Sequence, residues 1–454
     1  MTREEKALLV VTFFTIAFLA TLSGPLAETL PVKKAILSLG QAKDTFEDFE
    51  ARAIMAYHVA AVVVTSALAY LALRYVDMDH SLKPTISKLV TAGWALSIPS
   101  GLIFAYFWRS PLIHALWIIG LSLMFTAAVV LLYAMSPLRI NWRENALEKA
   151  AFFITGLSLV LSIVFGGVYA SHFGFDEGVK AVLLEHHSTL EYRGLGPAAT
   201  TLQLVATGHA HGAVALWGAA LMLIGFKWVR ASGRMYKWAL IFAAVGSLIT
   251  LVGVSVVAPL RPIAHQIIFF GIGPLHISLL FLWLYLLKQL RGGGWKDPVK
   301  FGIFLSPVLT VVFVTLTGPL VTMQLRDVVR VVWPLEDEIA YNVAHWHMLA
   351  LIFAYTTFLL YADGLRGFAR KSMWIFVIGA LVALAGAFVY ELSPIFAGAK
   401  KGVSLELVAT IAEKSQEVKK AALVPMDVGL ILLFVGFAIG AAGLVGPLKR
   451  GSQQ

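Results

Sequence analysis

Runs of about twenty apolar residues, the length that carries a helix across a bilayer, recur along this chain with short polar turns between them. They predict membrane-spanning helices near 5–26, 51–75, 86–108, 112–135, 149–171, 197–226, 236–258, 263–288, 300–322, 337–362, 372–391 and 423–446. The predicted fold is therefore an all-α polytopic bundle of about twelve spans, forming one membrane domain over residues 1–454. The longest polar connections, 27–50, 172–196 and 392–422, all fall on one side. The other side carries compact basic loops: Arg139 to Lys149, Lys227 to Lys237, Lys288 to Lys300 and Arg366 to Lys371. Of the 36 Lys and Arg residues, 21 fall on the face that holds both termini and 15 on the other. The positive-inside rule then makes both termini cytoplasmic and the protein a multi-pass component of the cytoplasmic (inner) membrane. MTREEK followed by a long apolar run reads as a retained first span and not a cleaved leader.

Composition agrees with that pattern: 59% of the 454 residues are hydrophobic and 14% charged, too apolar for a soluble domain. The net charge of +10 belongs to the loops between spans, so it marks membrane topology and predicts no nucleic-acid partner. Cysteine is absent. That excludes disulfides, thiolate iron–sulfur clusters, a Cys-x-x-Cys-His haem attachment and a thiolate-bridged copper centre in this chain. Any haem here is held non-covalently, by histidine or methionine.

Histidine carries the candidate chemistry. Two His-x-His pairs lie inside apolar runs, ATGHAHGAV at His209 and His211 and NVAHWHMLA at His345 and His347. Successive helical residues turn by about 100°, so positions i and i+2 point roughly 200° apart. Each such helix offers one imidazole to each of two opposite neighbours, a geometry that suits two cofactors better than one shared metal. An ionisable ring deep in a bilayer normally carries a function, and buried histidines facing one another across helices suit haem. Together with His58, the pairs fall on spans two, six and ten, four spans apart. The fragment TLSGPL at Thr21 to Leu26 returns as TLTGPL at Thr315 to Leu320. Both features predict three four-helix units around an internal axis, near residues 1–140, 141–295 and 296–454.

The segment NVAHWHMLALIFAYTTFLLYADGLRG and, more loosely, ARAIMAYHVAA around His58 resemble subunit I of the haem-copper oxidase superfamily, nearest the nitric oxide reductase large subunit. The resemblance implies a twelve-span core in three arcs, with histidines on spans two, six and ten. It further implies that His58 and His347 ligate a low-spin haem b and His345 a second haem. The family's non-haem metal is held by a span-six histidine and a His-His pair on span seven. Here span seven, WALIFAAVGSLITLVGVSVVAPL, has no histidine. The only adjacent pair, His186 and His187, precedes span six.

If the three histidine spans surround a common axis, His345 pairs with His209 or His211, and one span-six histidine is left over. That spare ring has three uses: a third haem, a hydrogen bond, or a non-haem iron or copper site with His265 or His276. Arg326, Arg330 and Arg261 are candidate partners for haem propionates, competing with a role as interfacial anchors. Glu338, with Glu336 and Asp337, either caps span ten or serves a proton path, and Glu391 and Asp427 near the outer membrane boundary are candidate relay groups. His114 reads as a packing residue and His80 as a loop residue. Trp217, Trp333 and Trp346 suit haem walls and interfacial belts equally, and Gly208 and Gly212 allow close approach of a ring or a helix.

The expected function is a respiratory oxidoreductase subunit that takes electrons from a quinol or a cytochrome c subunit within a larger complex. It passes them to a haem, or haem/metal, site reducing oxygen or nitric oxide. Two alternatives stand beside it: a bis-histidine electron-transfer subunit without gas chemistry, and a histidine-lined transporter without haem. The pairing makes a specific prediction for difference spectra of the purified protein. His58→Ala and His347→Ala should remove the same spectral component, and His345→Ala a different one; separate losses for the first two would refute the pairing.

Overall fold

The computed structural model describes residues 1–22, 32–40, 46–173, 201–256, 261–317, 335–400, 404 and 407–446. Among them there is no strand, and twelve long helices follow one another: α1 (Arg3–Leu22), α2 (Phe46–Tyr75), α3 (Lys83–Tyr106), α4 (Pro111–Met135), α5 (Ala146–Phe173), α6 (Thr201–Trp228), α7 (Gly233–Ser255), α8 (Arg261–Leu290), α9 (Pro298–Thr310), α10 (Leu335–Ala362), α11 (Met373–Glu391) and α12 (Val408–Val445). Nine helices among the described residues are long and apolar enough to cross a membrane. Shorter apolar stretches, Gly212–Trp228 and Met348–Ala362, lie in α6 and α10. The chain is an all-α, multi-pass membrane bundle.

Helix contacts divide the bundle into consecutive sets of four, α1–α4, α5–α8 and α9–α12, within which neighbours in sequence pack on one another. The sets join end to start: α4 touches α5, α8 touches α9, and α12 returns to α1, closing a ring. Inside it, α2, α6 and α10 touch one another pairwise.

The third and fourth helices of every set meet at a glycine pair. A Cβ on Gly93 would stand 3.1 Å from the Gly120 carbonyl oxygen. The same construction puts Gly246 2.8 Å from the Gly271 oxygen and Gly379 2.8 Å from the Gly429 oxygen. Lipid tails are as apolar as leucine, so helices gain little by hiding apolar surface from lipid. Close backbone approach through small residues, with the packing contacts it permits, holds them together instead.

Polar anchoring repeats as well, on the face that holds the termini. Glu5, at the start of α1, pairs with Arg74 at the end of α2 (2.6 Å). Glu148, at the start of α5, pairs with Lys227 at the end of α6 (2.6 Å) and accepts from the Tyr236 hydroxyl. Asp297, the N-cap of α9, pairs with Arg370, which also holds Asp363 beyond the end of α10. In all three sets an acid at a helix N-terminus meets a base beside a helix C-terminus, the arrangement both macrodipoles favour. The central helices are tied at this end too. Tyr361 of α10 donates to the Ala67 carbonyl of α2 and lies under Arg74, and Trp228 of α6 donates to Asp363. Ser81, in the loop after α2, and Arg139, from the segment after α4, hold the Asp79 carboxyl below the usual carboxylate range. Its contribution is therefore present at neutral pH and is lost as acid protonates it.

Two elements differ from the predicted spans. α9 gives way after Thr310 to a π-helical turn, Val311–Thr315, where Leu316 N–H bonds back five residues to the Val311 carbonyl. α12 begins at Val408, well before 423, because AEKSQEVKK consists largely of strong helix formers that a reading of apolar runs passes over.

The glycine contacts set the fold's tolerance. A Cβ on Gly253 of α7 would fall 2.6 Å from the Ile268 side chain and 2.8 Å from its backbone nitrogen, whereas one on Gly273 meets nothing within 4 Å. Gly253→Ala should destabilise the protein by about 1–3 kcal/mol and Gly273→Ala should be neutral or stabilising by about 0.5–1 kcal/mol. Thermal unfolding of the two variants in micelles checks both; equal effects would contradict the packing.

Candidate functional site

The candidate histidines lie on the three helices that touch in the centre. α2, α6 and α10 start on the same face, and His58, His209 and His345 follow 12, 8 and 10 residues after their first residues Phe46, Thr201 and Leu335. At 1.5 Å per residue these positions are about 12–18 Å into each helix, counted from the end opposite the face that holds the termini. The side chains of His211, His265, His345 and His347 lie outside the described residues, as do those of Arg261, Glu336, Asp337, Glu338 and Trp346. Arg326, Arg330, Trp333, His186 and His187 are outside them altogether.

His209 is half-buried, and its Nδ1 lies 3.2 Å from the Ser162 carbonyl of α5. A carbonyl only accepts, so Nδ1 carries the proton and donates it, leaving the lone pair on Nε2. That is the ring state of a metal-ligating histidine whose remote N–H is anchored to the backbone. The anchor is reachable because α5 and α6 approach closely there: a Cβ on Gly212 would stand 3.0 Å from Ser162 Cβ and 3.1 Å from Val254. Gly212 thus serves helix packing, one of the two roles open for it in the sequence.

His58 lies within electrostatic reach of His209. Its ring meets Trp117 of α4 edge-on at 5.7 Å. Trp117 in turn lies 5.6 Å from His114, which packs on Phe104 at 5.2 Å. The Trp117 and Trp217 indole nitrogens are buried without a hydrogen-bond partner among the described residues. Sequence reasoning gave Trp117 no role, although its position one turn after His114 on α4 places both rings on one side of that helix.

His276 is placed elsewhere, on α8, with Nδ1 2.8 Å from the Ile272 carbonyl and Nε2 2.7 Å from the Thr315 hydroxyl. Glu391 is buried at the end of α11, and beyond it Ser393 and Ser415 bond to each other at 3.0 Å. Asp427 Oδ1 is buried without a partner among the described residues. His80 opens a short helical turn in the loop before α3. Among the described residues no three His, Asp or Glu side chains converge as a metal site would require.

Two features of the described residues suit haem: histidine-bearing helices in mutual contact, and an imidazole turned so that Nε2 holds the lone pair. No model of a known protein family matches the chain, and no curated protein matches it.

The ring assignments are measurable without any cofactor. Nitrogen-15 NMR of histidine-labelled protein in lipid should show His209 and His276 as Nδ1–H tautomers, each identified by loss of its signal in the matching His→Gln variant. An Nε2–H tautomer at either position would contradict the geometry.

Proposed function

We propose that the chain is a twelve-span subunit of a respiratory oxidoreductase in the cytoplasmic membrane, with both termini cytoplasmic, binding two or more b-type haems among α2, α6 and α10. It is a divergent relative of the haem-copper oxidase superfamily, nearest the nitric oxide reductase large subunit. The observation that carries this reading is the meeting of α2, α6 and α10, with His58 and His209 within reach and His209 anchored through Nδ1.

In this reading His58 and His347 would hold one haem and His345 the second, with His209 and His211 as the further candidates beside it. Bound haem supplies one-electron transfer at iron and, where an axial position stays open, a place for a small gas such as oxygen or nitric oxide. The protein fixes the rings, keeps water out with its apolar helices, and offers Arg326, Arg330 and Arg261 to the propionates. Glu338 stands near the outer end of α10, at the helix N-terminus, where a carboxylate is favoured. Electrons come from a quinol or a cytochrome c subunit of a larger complex. A covalent haem on that route belongs to another chain, because this one lacks cysteine.

A second reading is favoured by one feature: α7 carries no histidine. If no metal stands beside the second haem and both irons are bis-histidine ligated, the subunit conducts electrons and performs no gas chemistry.

Haem extraction with metal analysis, followed by a carbon monoxide difference spectrum of the reduced protein, tests both. The proposal predicts at least two non-covalent haems per chain and a carbon monoxide-sensitive fraction. Haem without carbon monoxide binding would select the conduit, and a protein without haem absorption would overturn the haem reading in favour of a transporter.

A further inference from the structure

The bases on the face that holds the termini are not neutralised evenly. Around the seam between the first and second sets they have partners. Arg139 pairs with Asp79, Lys227 pairs with Glu148, and Lys149 donates to the Asn141 carbonyl. Around the seam between the second and third sets, residues 229–237 and 288–300 hold seven Lys and Arg but one acid, Asp297. That carboxylate is already engaged: it caps α9 at the Val299 and Lys300 N–H groups and holds Arg370 at 2.7 Å. Among the described residues none of the seven bases is in an ion pair. The positive-inside rule counts bases whether or not they are paired, so it does not account for this difference.

The fold gathers these charges. The Tyr285 hydroxyl, near the end of α8, donates to the Ser232 carbonyl and so brings the loop before α7, with Arg234, beside the end of α8. α8 then reverses into α9 through three glycines. Gly293 has φ +92°, where a side chain would be strained, and a Cβ on Gly294 would stand 3.0 Å from the Gln289 carbonyl oxygen. A Cβ on Gly292 or Gly293 would meet nothing within 4 Å, so the reversal leaves open space beside Arg291. Lys288, Arg291 and Lys296 are exposed around it. Three like charges on one tight reversal repel one another, and an anion among them relieves that repulsion.

Trp295 marks the level of this turn. It is 47% exposed, yet its ring is held against Phe304 at 5.3 Å and Phe301 at 5.8 Å. A tryptophan so placed, just past the end of an apolar span, belongs at the bilayer interface, where one side of the ring is apolar and the other wet. Below it, Ile277, Leu280 and Leu284 are exposed on α8. Their spacing of three and four residues, continued by four to Lys288, puts an apolar stripe and a cation on one helix face.

We propose that the α8–α9 turn binds an anionic phospholipid, its phosphate among Lys288, Arg291 and Lys296 and its chains along the Leu284–Leu280–Ile277 stripe. Basic sites of this kind at a membrane face recognise acidic headgroups. A zwitterionic lipid brings its own cation and gains less. Free phosphate and a soluble acidic segment lack chains to cover the stripe. The lipid touches the last helix of the second set and the turn into the third, so it ties the seam between them. The proposal is independent of the haem reading, since it involves no histidine.

The test uses the delipidated full chain in micelles, with dioleoyl phosphatidylglycerol as probe and dioleoyl phosphatidylcholine as the neutral lipid of equal chains. Native mass spectrometry should show one phosphatidylglycerol per chain held about 10-fold more tightly than phosphatidylcholine. Arg291→Gln with Lys296→Gln should cut that preference to about 2-fold or less. Arg3→Gln with Arg143→Gln, which removes two exposed bases elsewhere on the same face, should leave it intact. Monodispersity and thermal unfolding confirm that both double variants fold. Equal affinity for the two lipids, or equal loss in the two double variants, would overturn the proposal. Displacement by glycerol phosphate or by soluble polyglutamate would also overturn it, marking a free-phosphate site or the docking surface of an acidic protein.

Discussion

An imidazole inside a bilayer has no water to satisfy its nitrogens, so protein or ligand must do so. That requirement governs the centre of this bundle. The ring orientation of His209 is fixed by the Ser162 carbonyl, which α6 can reach because Gly212 brings it against α5. His58 is braced edge-on against Trp117. His276 meets the same requirement within protein alone, through Ile272 and Thr315. His58 and His209 belong to helices that meet at the centre, whereas His276 lies on α8, outside them.

The surrounding architecture positions that centre by repetition. Each set of four helices uses one glycine pair to lock its outer two helices and one acid–base pair to fix its inner helix at the terminal face. None of these devices is strong alone. A partly exposed ion pair contributes about 1 kcal/mol or less. Placed at the same point of each set, they hold α2, α6 and α10 side by side, and the histidines on those helices need that proximity to act together.

Much of the fold was legible in the sequence because lipid imposes a simple code: apolar runs become helices, and their order follows the chain. The grouping of histidines on the second, sixth and tenth runs marked the helices that meet at the centre. Other features were illegible for physical reasons. The π-turn after Thr310 comes from packing around Pro307 and has no signature in apolar run length. The early start of α12 follows from helix propensity outside the membrane. The Trp117 contact depends on helix rotation, and the Ser162 anchor is a backbone carbonyl, which no side-chain pattern encodes. Asp297 and Arg370 were visible only as members of basic loops, although their pairing ties the start of α9 to the segment before α11.

The claim most exposed to measurement is that histidines of the central helices coordinate iron. Pulsed electron paramagnetic resonance of the oxidised full chain in lipid, with nitrogen-15 histidine, reads that coordination directly. A low-spin ferric signal with hyperfine coupling to two labelled histidine nitrogens is the expected result. A preparation with no ferric haem signal, or one whose signal is indifferent to the histidine label, would contradict it.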